Sequence, residues 1–238
     1  VNPLLADVCF PIPTIEELLL STEGDWVYSL MDMPSAYHQV PLDPASQWVT
    51  TTCWDGLFLQ FEVLFEGLKP AGFLFQGVMK EIFHVSSPHK ESLQRRLAIY
   101  MDDLFLHSRN MREHVVHLEQ VFSTCRKANI KLSLPKCRFG VRSVKWIGHH
   151  LEAGKYSPPS TYIHKLQQIP KPGTVMDFQS WQGGIAWIVK HLPGASRIMT
   201  PLTAMLTTAS KAARGLPRYK ARKAPLSWTP AAMDAWKE

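Results

Sequence analysis

Tyr100-Met101-Asp102-Asp103 sets two adjacent carboxylates between two short apolar runs, Leu97-Ala98-Ile99 before and Leu104-Phe105-Leu106 after. Runs of that length around a polar pair predict two strands joined by a tight turn, with the acids forming the turn. Adjacent acids repel each other unless a cation joins them, and a divalent metal, which prefers oxygen ligands, is a natural one. Taken alone, such a pair is more often a solvated turn. Asp32 adds a third acid, because it closes the mostly apolar run from Trp26 to Met31 and so ends a second predicted buried strand. If these strands are neighbours, three carboxylates converge at one sheet edge and could hold two divalent ions. One such ion activates an attacking oxygen and the other stabilises the leaving oxygen of a phosphoryl transfer. Magnesium suits the task because it binds a few carboxylates and takes further ligands from substrate phosphates; manganese is the alternative.

The elements that must position these acids follow from periodicity. A proline-punctuated extended segment over 9–13 leads into a short helix over 15–20. Segments 48–53 and 57–63 flank Asp55-Gly56, a two-residue hairpin signal. After Pro70, Leu74, Val78 and Ile82 recur every fourth position beside Phe75, Met79 and Phe83, which predicts a helix with a broad buried face. Asn110 with Glu113 reads as the cap of a helix whose stripe is Met111, Val115, Leu118, Phe122 and Cys125. Short strands are expected over 130–134, 137–141 and 144–151. The order gives an α+β fold, an antiparallel sheet with helices on one face.

After Gly154 the composition changes. Pro158-Pro159 and Pro170-Lys171-Pro172-Gly173 separate helices expected over 160–168, 175–191 and 198–207, a small helical subdomain. Between Lys211 and Lys223 stand six basic residues, Lys211, Arg214, Arg218, Lys220, Arg222 and Lys223, and no acid. That run reads as a solvated linker or a nucleic-acid contact. Residues 1–154, 155–210 and 211–238 are the expected divisions.

With 238 residues, 45% of them hydrophobic, the chain can bury one large core or two smaller ones. Its formal net charge of +6 suits a polyanionic partner. Cys9, Cys53, Cys125 and Cys137 have no C-x-x-C spacing, which argues against zinc or a disulfide framework and for an intracellular setting. No apolar run approaches the roughly 18 residues that span a bilayer, so no membrane partner is expected. The start at Val1-Asn2-Pro3, without an initiator Met or a signal-peptide pattern, reads as a chain cut from something longer.

These residues also carry a family resemblance. Tyr28-Ser29-Leu30-Met31-Asp32-Met33-Pro34-Ser35-Ala36-Tyr37-His38-Gln39 resembles the first catalytic motif of reverse transcriptases from Gypsy (Ty3)-type long-terminal-repeat retrotransposons. Phe65-Glu66-Gly67-Leu68-Lys69-Pro70-Ala71-Gly72, running into Phe75-Gln76, is similar to the loop and helix under the incoming nucleotide, and Tyr100-Met101-Asp102-Asp103 to the family hallmark. Ile130-Lys131-Leu132, Lys136-Cys137-Arg138-Phe139 and Val144-Lys145-Trp146-Ile147-Gly148-His149 resemble the motifs that follow. Pro201-Leu202-Thr203 and the stretch from Trp228-Thr229-Pro230 to Trp236-Lys237 resemble the approach to a ribonuclease H domain.

The resemblance implies a polymerase palm over 1–154, with residual fingers, a thumb-like helical subdomain over 155–210, and a basic linker over 211–238. It implies an RNA-directed DNA polymerase that uses two magnesium ions, deoxynucleoside triphosphates and an RNA or DNA template-primer. Asp32, Asp102 and Asp103 would be catalytic metal ligands. Tyr37, Glu66, Gly67 and Lys136 would face the nucleotide, Tyr37 as a gate under the sugar and Lys136 near the triphosphate. Tyr100, Met101, Trp146, Gly148 and His149 would hold the primer. Glu66 departs from the family's aromatic or amide at that place, Pro70 and Gly72 from its Asn and Pro, and Gln182 and Gly184 from apolar residues of the thumb helix. The same kinship also accommodates a reused, non-catalytic subunit of a larger assembly or of other polyprotein domains, and the positive tail alone a simple RNA-binding protein.

Overall fold

Alternation along one strand organises the first part of the molecule. The computed structural model describes residues 2, 5, 10–189, 192, 194–215 and 217–237, apart from the side chains of residues 187 and 218. Cys9, at the head of the expected extended segment, and His191, at the expected end of a helix, lie outside the described residues. The chain divides into two compact units, Val1–Tyr156 and Ser157–Glu238.

In the first unit, β1 (Val27–Asp32) lies between β5 (Asp103–Ser108) and β6 (Arg138–Val141), and β4 (Leu97–Tyr100) is the outer neighbour of β5. All three pairings are antiparallel. Side chains of successive residues point to opposite faces, so Met31, Leu104 and Leu106 enter one core with Leu97 and Ile99. That core is closed by Phe75 and Met79 of α3 (Ala71–Lys80), by Phe83 in its π-helical continuation Glu81–Val85, by Leu93 of α4 (Lys90–Arg96), and by Val121 and Cys125 of α5 (Met111–Lys127).

The other face is covered as well, which the sequence did not announce. Tyr28, Ala98 and Phe105 meet Leu18 and Leu19 of α1 (Ile15–Leu20) and Val144, Trp146 and Leu151. The last three come from a second sheet of β7 (Ser143–Trp146), β8 (His149–Glu152) and β9 (Lys155–Ser157). Phe105 stacks on Trp146 with ring centroids 4.1 Å apart. A short helix α2 (Pro44–Gln47) precedes the expected hairpin of β2 (Thr52–Trp54) and β3 (Leu57–Leu59). Its turn residues Asp55 and Gly56 both have positive φ, as the primed turns that match strand twist require.

Three expectations are corrected. Residues 130–134 form no strand: they run as a loop into a 3-10 turn at Leu134–Lys136, where Pro135 has no N–H to give a ladder and Ser133 N donates instead to Asp32 O at 2.8 Å. Helix α4 was not foreseen, because Lys-Glu-Ser-Leu-Gln-Arg-Arg buries only Leu93 and shows no apolar stripe.

The third correction concerns the tail. The second unit holds α6 (Ser160–Gln167), α7 (Val175–Val189), α8 (Ala195–Ala212), α9 (Arg218–Arg222) and α10 (Pro230–Lys237). Residues 224–237 are therefore no free linker. Leu226 and Ala232 are buried with Val175, Phe178, Leu202 and Met205, and Trp228 and Trp236 pack against them. The backbone pins the tail through Leu226 N to Gly173 O and Val175 N to Ala224 O, both 3.0 Å. Among the described residues no helix is long and apolar enough to cross a membrane.

The end of the sheet at Val27 and Ser108 is a buried polar network. Asp25 accepts from Arg96 Nη1 at 2.8 and 3.0 Å and lies 2.6 Å from His107 Nδ1. Burial alone would raise the Asp25 carboxyl, but His107 and Arg96 together hold it below its usual range. His114, fully buried on α5, places Nε2 2.7 Å from Ser29 Oγ and Nδ1 3.0 Å from Ser108 Oγ. Burial, and then the neighbouring His117 and His107, push its pKa down from 6.5 to about 4. The folded chain thus resists a proton that the unfolded chain accepts near pH 6.5. The contribution of His114 to stability is full above that pH and declines as pH falls toward 4, by up to about 3 kcal/mol. An NMR titration of the His114 ring should give a midpoint near 4; a midpoint near 6.5 would mean that the ring is solvated.

Candidate active site

Register brings the acids together. Asp32, the last residue of β1, pairs directly with Asp103, the first of β5, and Tyr100 pairs with Asp103 across the β4–β5 hairpin. The tip is therefore Met101-Asp102 rather than the expected Asp102-Asp103, and Asp103 belongs to the strand. Met101 has φ +52°, the left-handed conformation demanded at the first central position of such a turn. Met33 N donates to Asp102 O at 3.3 Å, tying the tip to the segment that follows Asp32.

The electrostatics are those of a cluster short of positive charge. Asp103 is pushed up from 3.8 to about 6, by burial first, then by the charges of Asp102 and Asp32; the indole N–H of Trp146 opposes the shift without reaching full hydrogen-bond geometry. Asp32 Oδ2 is buried and makes no hydrogen bond. Its nearest cation is Lys136 Nζ at 3.3 Å, on a side chain 66% exposed. Among the described residues, no three carboxylate, imidazole or thiol groups close on one point as a ready metal cage. An orphaned buried carboxylate oxygen beside two further acids nevertheless fits a hard divalent cation that expects the substrate to supply most of its ligands.

Around the tip stand several of the expected nucleotide-facing residues. Tyr37 lies against Phe75, centroids 5.1 Å apart, and its hydroxyl is raised by burial, then by the charges of Asp102 and Glu66. A Cβ added to Gly72 would lie 3.8 Å from both the Tyr37 hydroxyl and Met101 Cε, so this helix start, Tyr37 and the tip are neighbours. Glu66 and Gly67 are exposed, and Gly67 O accepts from Asn2 Nδ2 at 2.9 Å. Lys136 is held beside Asp32 rather than free.

The expected primer residues divide. Tyr100 and Met101 are half-buried at the hairpin, and Gly148 is exposed at φ +76° in the β7–β8 turn. Trp146 and His149 are buried, at 2% and 5% exposure. Their side chains support the turn from beneath, and Ile147-Gly148 is the part open to a ligand. Sequence reasoning gave no role to Gln76 or Gln39. Gln76 bonds the Met101 turn, and Gln39 exchanges hydrogen bonds with the Lys131 backbone at 2.8 and 3.2 Å, bracing the segment that carries Lys136. A glutamine inside an apolar helical stretch is the signal that could have found the first.

The profile of the family described as reverse transcriptase (RNA-dependent DNA polymerase) matches residues 1–151. The chain belongs to that family. It is 28% identical over 198 residues to the Transposon Tf2-3 and Tf2-4 polyproteins of Schizosaccharomyces pombe, covering 83% of this chain and 14% of each polyprotein. This reverse transcriptase chain thus spans about one-seventh of the length of the curated relatives it matches. Among solved structures it resembles the foamy viral protease-reverse transcriptase dRH in complex with double-stranded DNA, with TM-score 0.77, 21% identity, and coverage of 99% of this chain and 38% of that one. A foamy viral protease-reverse transcriptase in complex with double-stranded DNA gives TM-score 0.73, 21% identity, and coverage of 97% and 44%. The α+β polymerase fold and the kinship with retrotransposon reverse transcriptases read from the motifs are borne out.

The raised Asp103 gives a test of the cluster itself. Because its folded pKa is about 6, ionising Asp103 above that pH costs stability, and removing a neighbouring charge should return part of it. Asp102→Asn is expected to stabilise the metal-free protein by about 1 kcal/mol at pH 8 in urea unfolding, with the gain shrinking below pH 6. Equal stability of the two proteins at both pH values would show that Asp102 does not act on Asp103.

Proposed function

We propose that this chain is the polymerase part of a retrotransposon polyprotein and performs RNA-directed DNA synthesis. The observation that carries the reading is the pairing of Asp32 with Asp103, with Asp102 at the adjoining tip, in a chain of this family. In this reading the first unit, about residues 1–154, is the palm with residual fingers. Residues 155–210 form the thumb-like subdomain, on which residues 224–237 fold back.

Asp32 and Asp102 would supply the principal ligand oxygens for two magnesium ions, or manganese, with Asp103 shaping the site from behind. When bound, the metal would lower the pKa of the primer 3′-hydroxyl and screen the charge that develops on the phosphates. The 3′-oxygen attacks the α-phosphorus of a deoxynucleoside triphosphate, the bond to the bridging oxygen breaks, and pyrophosphate leaves. Tyr37, wedged between Phe75 and Gly72, is suited to lie under the sugar and exclude a 2′-hydroxyl. Lys136 would move from Asp32 to the triphosphate once a cation occupies the acids; a pair this exposed is worth less than about 1 kcal/mol. Glu66 adds a negative charge where an incoming nucleotide brings several more.

Primer extension on an RNA template should therefore depend on magnesium and stop when the metal is chelated. Asp32→Asn or Asp102→Asn should lower the rate at least about a hundredfold, since metal charge stabilisation is worth several kcal/mol. Glu66→Gln should raise it about tenfold, a modest relief because an exposed charge is screened. Extension by the Asp102→Asn protein at the unaltered rate would overturn the assignment.

Template-primer binding should be electrostatic. Affinity is expected to fall with salt at a log–log slope of about −0.7 to −0.9 per phosphate neutralised. Replacing Lys220, Arg222 and Lys223 with Gln should flatten that slope by about two units; an unchanged slope would remove the tail from the interface.

A further inference from the structure

β4 is the edge strand of the central sheet, and its outer backbone groups would be left unpaired without help. Two side chains take the place of a fifth strand. His84, in the π-helical segment after α3, faces Leu97 O at 2.9 Å through Nε2. Gln76 Nε2 donates to Ile99 O at 2.8 Å, and Gln76 Oε1 accepts from Met101 N at 3.0 Å. A glutamine amide holds a donor nitrogen and an acceptor oxygen side by side in one plane, which matches the carbonyl and N–H that residues i and i+2 present on the same strand edge. Gln76 is 3% exposed, so both bonds are sheltered from water.

The second of those bonds falls on the strained residue. Met101 has a left-handed φ of +52° without being glycine, a conformation that persists only when its surroundings hold it. Gly72 and Gln76 are one turn apart on the same face of α3, and both address Met101. The Met101 side chain lies beside Gly72, where an added Cβ would stand 3.8 Å from its Cε, and Gln76 binds the Met101 backbone. Asp102 is the next residue.

We propose that Gln76 is a positioning residue: by clamping Ile99 O and Met101 N it locks the hairpin tip and so fixes where Asp102 presents its carboxylate to a divalent cation. The last step rests on the reading of Asp102 as a metal ligand; the lock itself does not. His84 acts on the same edge at the far end of β4, and there it serves stability alone.

The test compares Gln76→Leu and the near-isosteric Gln76→Glu with His84→Leu in the whole chain. Gln76→Glu keeps an acceptor for Met101 N–H and loses the donor to Ile99, and it covers the case in which the leucine variant does not fold. Two readouts avoid enzymatic activity: the exchange rate of the Met101 amide hydrogen, and the Mn2+ concentration that half-broadens the Asp102 and Asp103 amide signals in NMR. Gln76→Leu should speed Met101 exchange about tenfold, the equivalent of one hydrogen bond, and raise the half-broadening Mn2+ concentration severalfold, with Gln76→Glu between it and the unaltered protein. His84→Leu should lower the melting temperature while leaving both readouts in place. The lock is overturned if Met101 exchange is unchanged in both Gln76 variants, or if His84→Leu accelerates it as much. Unchanged Mn2+ titration with accelerated exchange would overturn the link from lock to metal. Mn2+ that never broadens Asp102 in the unaltered protein would sink the metal reading itself, and Met101 exchange would still decide whether Gln76 holds the turn.

Discussion

The antiparallel register of β1 on β5 is the constraint on which the first unit depends. A slip of one residue would turn every side chain of β1 to the other face. Met31 would leave the helix-covered core, Tyr28 would leave the core that holds Phe105 and Trp146, and Asp32 would no longer oppose Asp103. Burying each large apolar side chain is worth about 1.5–3 kcal/mol. Six of them, Val27, Tyr28, Met31, Leu104, Phe105 and Leu106, lie at no more than 2% exposure on these two strands. The displacement of Asp103 to about 6 represents, on a side chain that solvent partly screens, an opposing cost of at most about 3 kcal/mol. The core therefore decides the alignment, and the acids are carried into proximity whether or not they gain from it.

The two ends of the sheet resolve buried polarity in opposite ways. At the Val27–Ser108 end, Asp25 has Arg96 and His107, and Ser29, His114 and Ser108 satisfy one another. At the Asp32–Asp103 end, about 17 Å away along the strand, Asp32 Oδ2 has no hydrogen bond and Asp103 is raised by its neighbours. A chain able to pair every group at one end is not short of partners in general. The deficit is local, and it sits where the family motif falls.

Much of this was legible in the sequence, for identifiable reasons. Short apolar runs gave β1, β4 and β5; Asp55-Gly56 gave a hairpin whose two turn residues need positive φ; Asn110 with Glu113 gave the start of α5. The pairing of Asp32 with Asp103 was readable because the first closes one predicted strand and the second stands in the turn that opens another. What was hidden depended on tertiary partners. Residues 130–134 look like a strand until one sees that Asp32 O takes the hydrogen bond from Ser133. Trp146 and His149 look like surface tools in a motif, yet the core behind Phe105 claims the first and encloses the second. The tail looked like a linker because the run from Lys211 to Lys223 carries six basic residues and no acid, but Leu226, Trp228 and Trp236 are enough to fold it back.

Lys136 is a weak counter-ion for the acid cluster. Its ammonium, 3.3 Å from Asp32 Oδ2, lies beyond hydrogen-bond geometry and on a side chain two-thirds exposed. Held by solvent as much as by the acid, it lowers the repulsion only slightly, and Asp103 remains raised. A buried, well-bonded lysine or arginine would have quenched the cluster and then had to be displaced, leaving an unpaired charge at a cost of several kcal/mol. The contrast lies in the same unit: Asp25 is bound by Arg96 through both carboxylate oxygens and is thereby closed to any other cation. A weak counter-ion at Asp32 keeps the acids available, and the strain that results is borne by the apolar core that set the register.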